Sequence, residues 1–384
     1  MRFLIGILAS VLLASAALGQ GLPSDVAEAY RGYESAVDAE NWADAAYQAE
    51  RAWRAAEAGD VDAATTTILA ANYGEVALIV GNNAGAAEAY ERAAELSHDG
   101  SIDVQTTAGY LRLAAQSHYL AGNYRSARNL STEAVGAFDD LPISDARWTG
   151  LYQSQMIRAF AHMQDGNAVR GGRFAQEALE ALAYIGPIAN DETASLAFLA
   201  GLNAAVNRQA SEAAYYFTLT SYINDEIAAG DEASRIAIAW ASYMRGEMSA
   251  DERAELISRL ENSGFRPASC SIGQSSCYET PEWINSFGPD AVVVDAEPDR
   301  RLPPRYPADA AAGGLEGTVL LRYTVSVEGR ATDIETIFSV PNTIFADASE
   351  AVLRRWRFTP AMVDGEPVER PGKYVQFDFQ LSNQ

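Results

Sequence analysis

The sequence predicts a multidomain chain: an all-α solenoid of helical hairpins, then a small α+β domain built on a three-stranded antiparallel sheet. Three observations carry this prediction. Turn-like tripeptides recur every 40–44 residues between Ala-rich stretches of helical periodicity, up to Phe265. A scatter of prolines from Pro267 to Pro304 then breaks the pattern. Beyond it, apolar residues alternate with period two in three runs, and an amphipathic helical stretch separates the second from the third.

Taken in chain order, residues 1–19 read as a secretory signal peptide. Arg2 supplies the positive start, residues 3–18 the apolar core, and Ala17-Leu18-Gly19 a small-residue cleavage site before Gln20. The apolar run of roughly 16 residues falls short of the ~20 that a bilayer span takes. The expected location is therefore an oxidising compartment outside the cytoplasm, with an uncleaved membrane anchor as the alternative; the periplasm and the inner membrane are what the resemblance given below implies. Export places Cys270 and Cys277 in an oxidising environment, where a local disulfide across the polar loop between them is expected.

Residues 20–265 are expected to form the helical domain. The tripeptides Asn41-Trp42-Ala43, Asn83-Ala84-Gly85, Asn123-Tyr124-Arg125, Asn167-Ala168-Val169, Arg208-Gln209-Ala210 and Met248-Ser249-Ala250 each separate two helical stretches. Gly81, Gly122, Gly166 and Gly246 stand just ahead of four of them, where a helix end favours a left-handed residue. Small residues such as those in Ala86-Ala87-Glu88-Ala89 allow close helix approach. The pattern resembles the tetratricopeptide repeat superfamily, with Gly122-Asn123-Tyr124-Arg125-Ser126-Ala127 as its best match, although the period exceeds the usual ~34. A lone hairpin cannot bury its apolar face, so stacking is expected to stabilise the array.

Residues 266–297 read as a linker holding the cysteine pair, and residues 298–384 as the α+β domain. Val319, Leu321, Tyr323, Val325 and Val327 alternate with Leu320, Arg322, Thr324 and Ser326, the mark of a half-buried strand. Glu328-Gly329 supplies a hairpin turn, and residues 331–339 return as a second strand with Ile334, Thr336 and Phe338 expected on one face. Phe345, Ala348, Val352 and Trp356 form one helix face. Val375, Phe377, Phe379 and Leu381 alternate with Tyr374, Gln376, Asp378 and Gln380 in the closing strand. With a short helix near Pro307, the order is α-β-β-α-β.

In kind and order these residues, with Arg305-Tyr306-Pro307-Ala308, Glu316-Gly317-Thr318-Val319, Arg354-Arg355-Trp356-Arg357-Phe358 and Asp364-Gly365-Glu366-Pro367-Val368, resemble the C-terminal domain of TonB, the periplasmic energy transducer of Gram-negative bacteria. The resemblance implies a binding mode. In that family the last strand lies at a sheet edge, and an extended segment of a TonB-dependent outer-membrane receptor pairs with it. Carried over by position, Tyr374, Val375, Gln376, Phe377, Asp378, Phe379, Gln380 and Leu381 would form the docking edge. Tyr306 and Pro307 would be a second contact, with a plain helix start as the alternative.

The resemblance stops at this domain. A long Pro-rich spacer is replaced by the helical stretch and the membrane anchor by the signal-like leader, so direct energy transduction is one alternative and a repeat scaffold with a structural C-terminal module another. The formal charge of −24 argues against a nucleic-acid surface. His98, His118 and His162 are isolated, and the sequence carries no Gly-rich phosphate loop, serine elbow or metal-ligand spacing. The expected protein is a periplasmic interaction protein, not an enzyme, with no cofactor and no metal.

Overall fold

The structure, a computed structural model, describes residues 22–59, 61–98, 102–227, 231–246, 248–265, 283–288, 290–341 and 343–381. The leader at 1–19 and the Cys270–Cys277 pair lie outside them. Among the described residues no helix is long and apolar enough to cross a membrane.

Twelve helices precede the sheet domain among the described residues: α1 (Ser24–Asp38), α2 (Trp42–Ala58), α3 (Ala63–Ile79), α4 (Asn83–Ser97), α5 (Val104–Leu120), α6 (Tyr124–Asp139), α7 (Asp145–Gln164), α8 (Ala168–Ile185), α9 (Asp191–Val206), α10 (Ala210–Glu226), α11 (Asp231–Gly246) and α12 (Ala250–Asn262). The hairpin turns repeat one local device. The second residue past the first helix turns left-handed, and the next N–H reaches back to a carbonyl of the last helical turn. Asn41 N–H donates to Ala36 O, Asn82 to Ala77, Asn123 to His118 and Gln209 to Ala204, all at 2.7–2.9 Å. Gly81, Gly122 and Gly166 take the left-handed position as expected, but Glu40 and Arg208 do the same work at φ +53° and +58°. Gly246 does not; there Ser249 starts α12 with a capping box to Glu252.

The expected single helical domain divides. One compact unit holds the chain up to His162 with Glu180–Ile185, and the other holds Met163–Leu179 and everything from Gly186 onward. In the first unit, Trp53 is buried and stacks on Tyr73 at 5.6 Å between ring centres. In the second, Trp240 is fully buried and stacks on Phe217 at 5.1 Å.

The second unit also contains the C-terminal fold: β1 (Val293–Val294), β2 (Glu297–Arg300), α13 (Ala308–Ala312), β3 (Gly317–Val325), β4 (Ala331–Val340), α14 (Ala346–Leu353), β5 (Arg357–Thr359), β6 (Ala361–Val363), β7 (Glu366–Val368) and β8 (Arg370–Phe379). The main sheet has the order β4-β3-β8 and is antiparallel throughout. Two small ladders join it: β1-β6-β7 and β2-β5. They move the start of this fold upstream of the expected boundary at 298. Val293 pairs with Val363, Glu297 with Thr359, and Ala296 is fully buried in the C-terminal core. Asp295 fastens that segment to β8, accepting hydrogen bonds from Arg370 Nε and Nη2 at 2.8 and 3.3 Å, with Lys373 Nζ 3.5 Å away.

Burial opposes ionisation of Asp295, but the Arg370 hydrogen bonds and the nearby Lys373 charge outweigh it, and its carboxyl sits below the usual range. A depressed folded pKa adds stability above the unfolded carboxylate value, and this is lost as pH falls through the folded one. Asp295→Asn is therefore expected to cost under about 1 kcal/mol at pH 7, since the pair is partly solvated. The cost should shrink as pH falls below the usual carboxylate range. Urea midpoints at pH 7 and in acid check this.

One face of the main sheet carries Val319, Leu321, Tyr323, Phe377 and Phe379 against Phe345, Val352, Leu353 and Trp356. The other face was expected to be open, yet Thr318 and Leu320 are fully buried. The reason is a β-bulge. Leu320 pairs with Phe338 but Leu321 with Thr336, so Ile337 is the extra residue and the alternation of β4 slips there. Thr336 and Phe338, expected on one face, lie on opposite ones. Thr336 donates from Oγ1 to Glu350 of α14 at 2.8 Å. Phe338 packs edge-on against Phe198 of α9 and Trp240 of α11, at 5.3 and 6.2 Å between ring centres. The central strand is thus buried on both faces, with helices on either side.

The β3–β4 turn is as expected. Ser326 N–H donates to Arg330 O and Gly329 N–H to Ser326 O, both at 2.9 Å, with Gly329 at φ +68°. A Cβ at Gly329 would also run into the carbonyl of Phe358. Gly329→Ala should destabilise this fold by about 3 kcal/mol, combining left-handed strain with a backbone clash. A denaturant titration measures it.

Candidate functional site: the free edge of the last strand

β8 pairs with β3 on one side; among the described residues no strand lies along its other side. Its register against β3 runs without a break through seven pairs, from Gly317–Phe379 to Tyr323–Lys373. Strand pairing fixes which backbone groups face outward. Ser326 hydrogen-bonds to Arg330 across the β3–β4 turn, so by alternation the even-numbered residues of β3 address β4 and the odd-numbered ones address β8. The partners of Val319 and Leu321 are Phe377 and Val375. These turn their N–H and C=O inward, which leaves those of Tyr374, Gln376 and Asp378 on the open side. Leu381 fits the same parity, since its N–H turns back to Glu316 Oε1 at 2.8 Å.

The opposite edge, β4, is also unpaired, but it is interrupted twice: by the bulge at Ile337 and by Asp333 at φ +47°. Bulges twist an edge and spoil it as a template. β8 has its one shift near its start, beside Gly372 at φ +70°, and is regular from Lys373 to Phe379.

The structure places the expected site residues unevenly. Tyr374, Val375, Gln376, Phe377, Asp378 and Phe379 lie in β8, whereas Gln380 and Leu381 follow its end. Phe377 and Phe379 are core residues, 6% and 3% exposed, so proline at either would damage the domain as well as the edge. Asp378 accepts hydrogen bonds from Thr318 Oγ1 at 2.8 Å and Gln376 Nε2 at 2.7 Å, holding the side chains of the strand's far half in place. Tyr306 reaches Phe379 on the core side: its ring stands edge-on to Phe345 and Phe379, both at 5.7 Å, and its hydroxyl donates to Leu315 O. Pro307 precedes α13 and accepts the N–H of Ala311 at 3.0 Å. Tyr306 therefore supports the end of β8 from beneath, and Pro307 starts α13.

A small α+β domain with one regular, unpaired edge strand defines a class: modules that take up an extended chain by strand pairing. The family follows from sequence comparison. Residues 303–381 match the family described as Gram-negative bacterial TonB protein C-terminal, and this part of the chain is a TonB C-terminal domain. The chain is 36% identical over 83 residues to Protein TonB of Pseudomonas aeruginosa, covering 22% of this chain and 24% of that protein. It is 31% identical over 101 residues to Protein TonB of Klebsiella pneumoniae, covering 26% and 39%. The solution structure of the Pseudomonas aeruginosa TonB C-terminal domain matches with 34% identity over 23% of this chain and 90% of that one, at a TM-score of 0.22. The chain thus spans well under half the length of these two curated relatives.

Proposed function

We propose that this chain is a periplasmic interaction protein without catalytic activity, whose C-terminal domain takes up an extended segment of a partner along β8. The unbroken seven-residue register of β8 beside an open side carries the reading. Tyr374, Gln376 and Asp378 offer their N–H and C=O groups in a row, so backbone pairing supplies affinity and side chains supply selection. The kinship with TonB makes the extended segment of a TonB-dependent outer-membrane receptor the first partner to try.

Panning a random twelve-residue peptide library on the full chain tests this. Selected sequences should share a β-forming core and lose binding to a Gln376→Pro variant. Recovery only of sequences indifferent to that variant overturns the proposal. It would favour a second reading, suggested by the Phe338 contact with α9 and α11, in which the module is a structural part of the helical array.

A further inference from the structure

Where β8 ends, the second unit has a cleft of about 350 Å³. One wall is the end of the sheet: Gly317, Val340, Phe379 and Gln380. The other comes from the helical hairpins: the start of α8, with Asn167 and Arg170, and the end of α9, with Asn203 and Asn207. The size lies at the lower end of the ~300–1,000 Å³ typical of ligand pockets, so it suits a few residues of chain rather than a folded domain.

Its polar groups are partly committed. Asn203 Nδ2 donates to Val169 O at 2.9 Å, Asn207 Nδ2 to Asn203 O at 2.8 Å, and Asn167 Oδ1 accepts the N–H of Arg170 at 3.4 Å. These bonds fix the amides and, among the described residues, leave the Asn207 oxygen and the Asn167 NH₂ without a partner. Gln380 is exposed just past the strand. Among the described residues, no carboxylate lies within ion-pair distance of the exposed Arg170 guanidinium. The cleft's one acid, Glu316, is engaged by the N–H of Leu381 at 2.8 Å. Fixed side-chain amides offer a donor and an acceptor together, the combination that a passing peptide backbone needs.

The cleft begins at the Phe379–Gln380 end of β8, where a strand added about 4.8 Å to its side would run out of the sheet. We propose that the cleft receives the flank of the partner segment beyond its strand-pairing core, an extended polar stretch held by Asn167, Asn207 and Gln380, with an acidic side chain opposite Arg170. The helical hairpins thereby select among partners that the sheet edge alone would not distinguish. This rests on strand addition at β8.

The probe is the same twelve-residue library, panned on the full chain, on an Arg170→Ala/Asn207→Ala variant and on Gln376→Pro. The wild-type chain should return a β-forming core with Asp or Glu enriched on one flank. The cleft variant should keep the core and lose that enrichment. A selected acidic peptide should bind the cleft variant about two- to tenfold more weakly, the range for one or two solvated polar contacts. The same peptide with Asn and Gln in place of its acids should lose less. An edge-dependent core with no acidic flank, or the same flank on both chains, overturns the cleft and leaves the edge reading standing. Peptides indifferent to Gln376→Pro, or no selected peptide at all, overturn both.

Discussion

Gln376→Pro is expected to weaken binding of an extended partner peptide at least tenfold while the domain stays folded. Both halves follow from the parity of β8. The N–H of Gln376 faces the open side, so proline there breaks no bond to β3; prolines are tolerated on edge strands in this setting. An incoming strand, however, loses the central donor of the row formed by Tyr374, Gln376 and Asp378, and meets the pyrrolidine ring instead. The lost bond and the steric block together exceed the ~1.4 kcal/mol that corresponds to tenfold. Gln376→Ala is the control for the side chain, whose amide donates to Asp378; it should bind nearly as well as the parent. Phe377→Pro gives the contrast. That N–H faces β3 and the ring lies in the core, so the domain itself should unfold. Fluorescence anisotropy with a selected peptide, alongside circular dichroism, separates the three. Full binding by Gln376→Pro would place the docking surface elsewhere.

Trp356→Ala should be the most destabilising single substitution in the C-terminal fold, at about 3–5 kcal/mol, the range for truncating a buried Trp. Trp356 is 5% exposed, packs against Phe377 and Phe358 at 5.6 and 6.1 Å between ring centres, and donates from Nε1 to Leu302 O at 3.0 Å. The substitution leaves a cavity under β8 and strips the Leu302 carbonyl of its partner. A loss of this size is a large part of the ~5–15 kcal/mol that holds an ordinary domain together. Hydrogen exchange of the β3 amides would report it directly. Exchange unchanged from the parent would mean that the sheet does not depend on this ring.

Local rules made much of this architecture legible. The alternation from Val319 to Val325, the turn at Glu328-Gly329 and the burial of Trp356 all follow from residue type and spacing. So do the hairpin turns at Gly81, Gly122 and Gly166. Where the reading fell short, a long-range contact had overridden a local pattern. Period two describes one face of a strand only while the register holds; the bulge at Ile337 ends it and turns Phe338 to the face opposite Thr336. Glu40 and Arg208 carry no sign of a left-handed backbone, because the hairpin imposes it on whatever residue stands there. The strands at Val293–Val294 and between residues 357 and 368 are too short to show a period. At the site, β8 was visible as a strand, but which of its backbone groups face outward depends on its pairing with β3. The cleft was invisible altogether, since Asn167, Asn207 and Gln380 meet only in the fold.

The bulge in β4 also bears on mechanics. A chain bonded along β8 and pulled lengthwise loads its contacts side by side, so they yield together; a pull across the sheet would peel them apart one after another. From β8 the strain passes through β3 to β4, and Phe338 is wedged there between Phe198 and Trp240. A pull on a segment added to β8 would therefore bear on α9 and α11. One extra residue, Ile337, sets the face on which that contact is made.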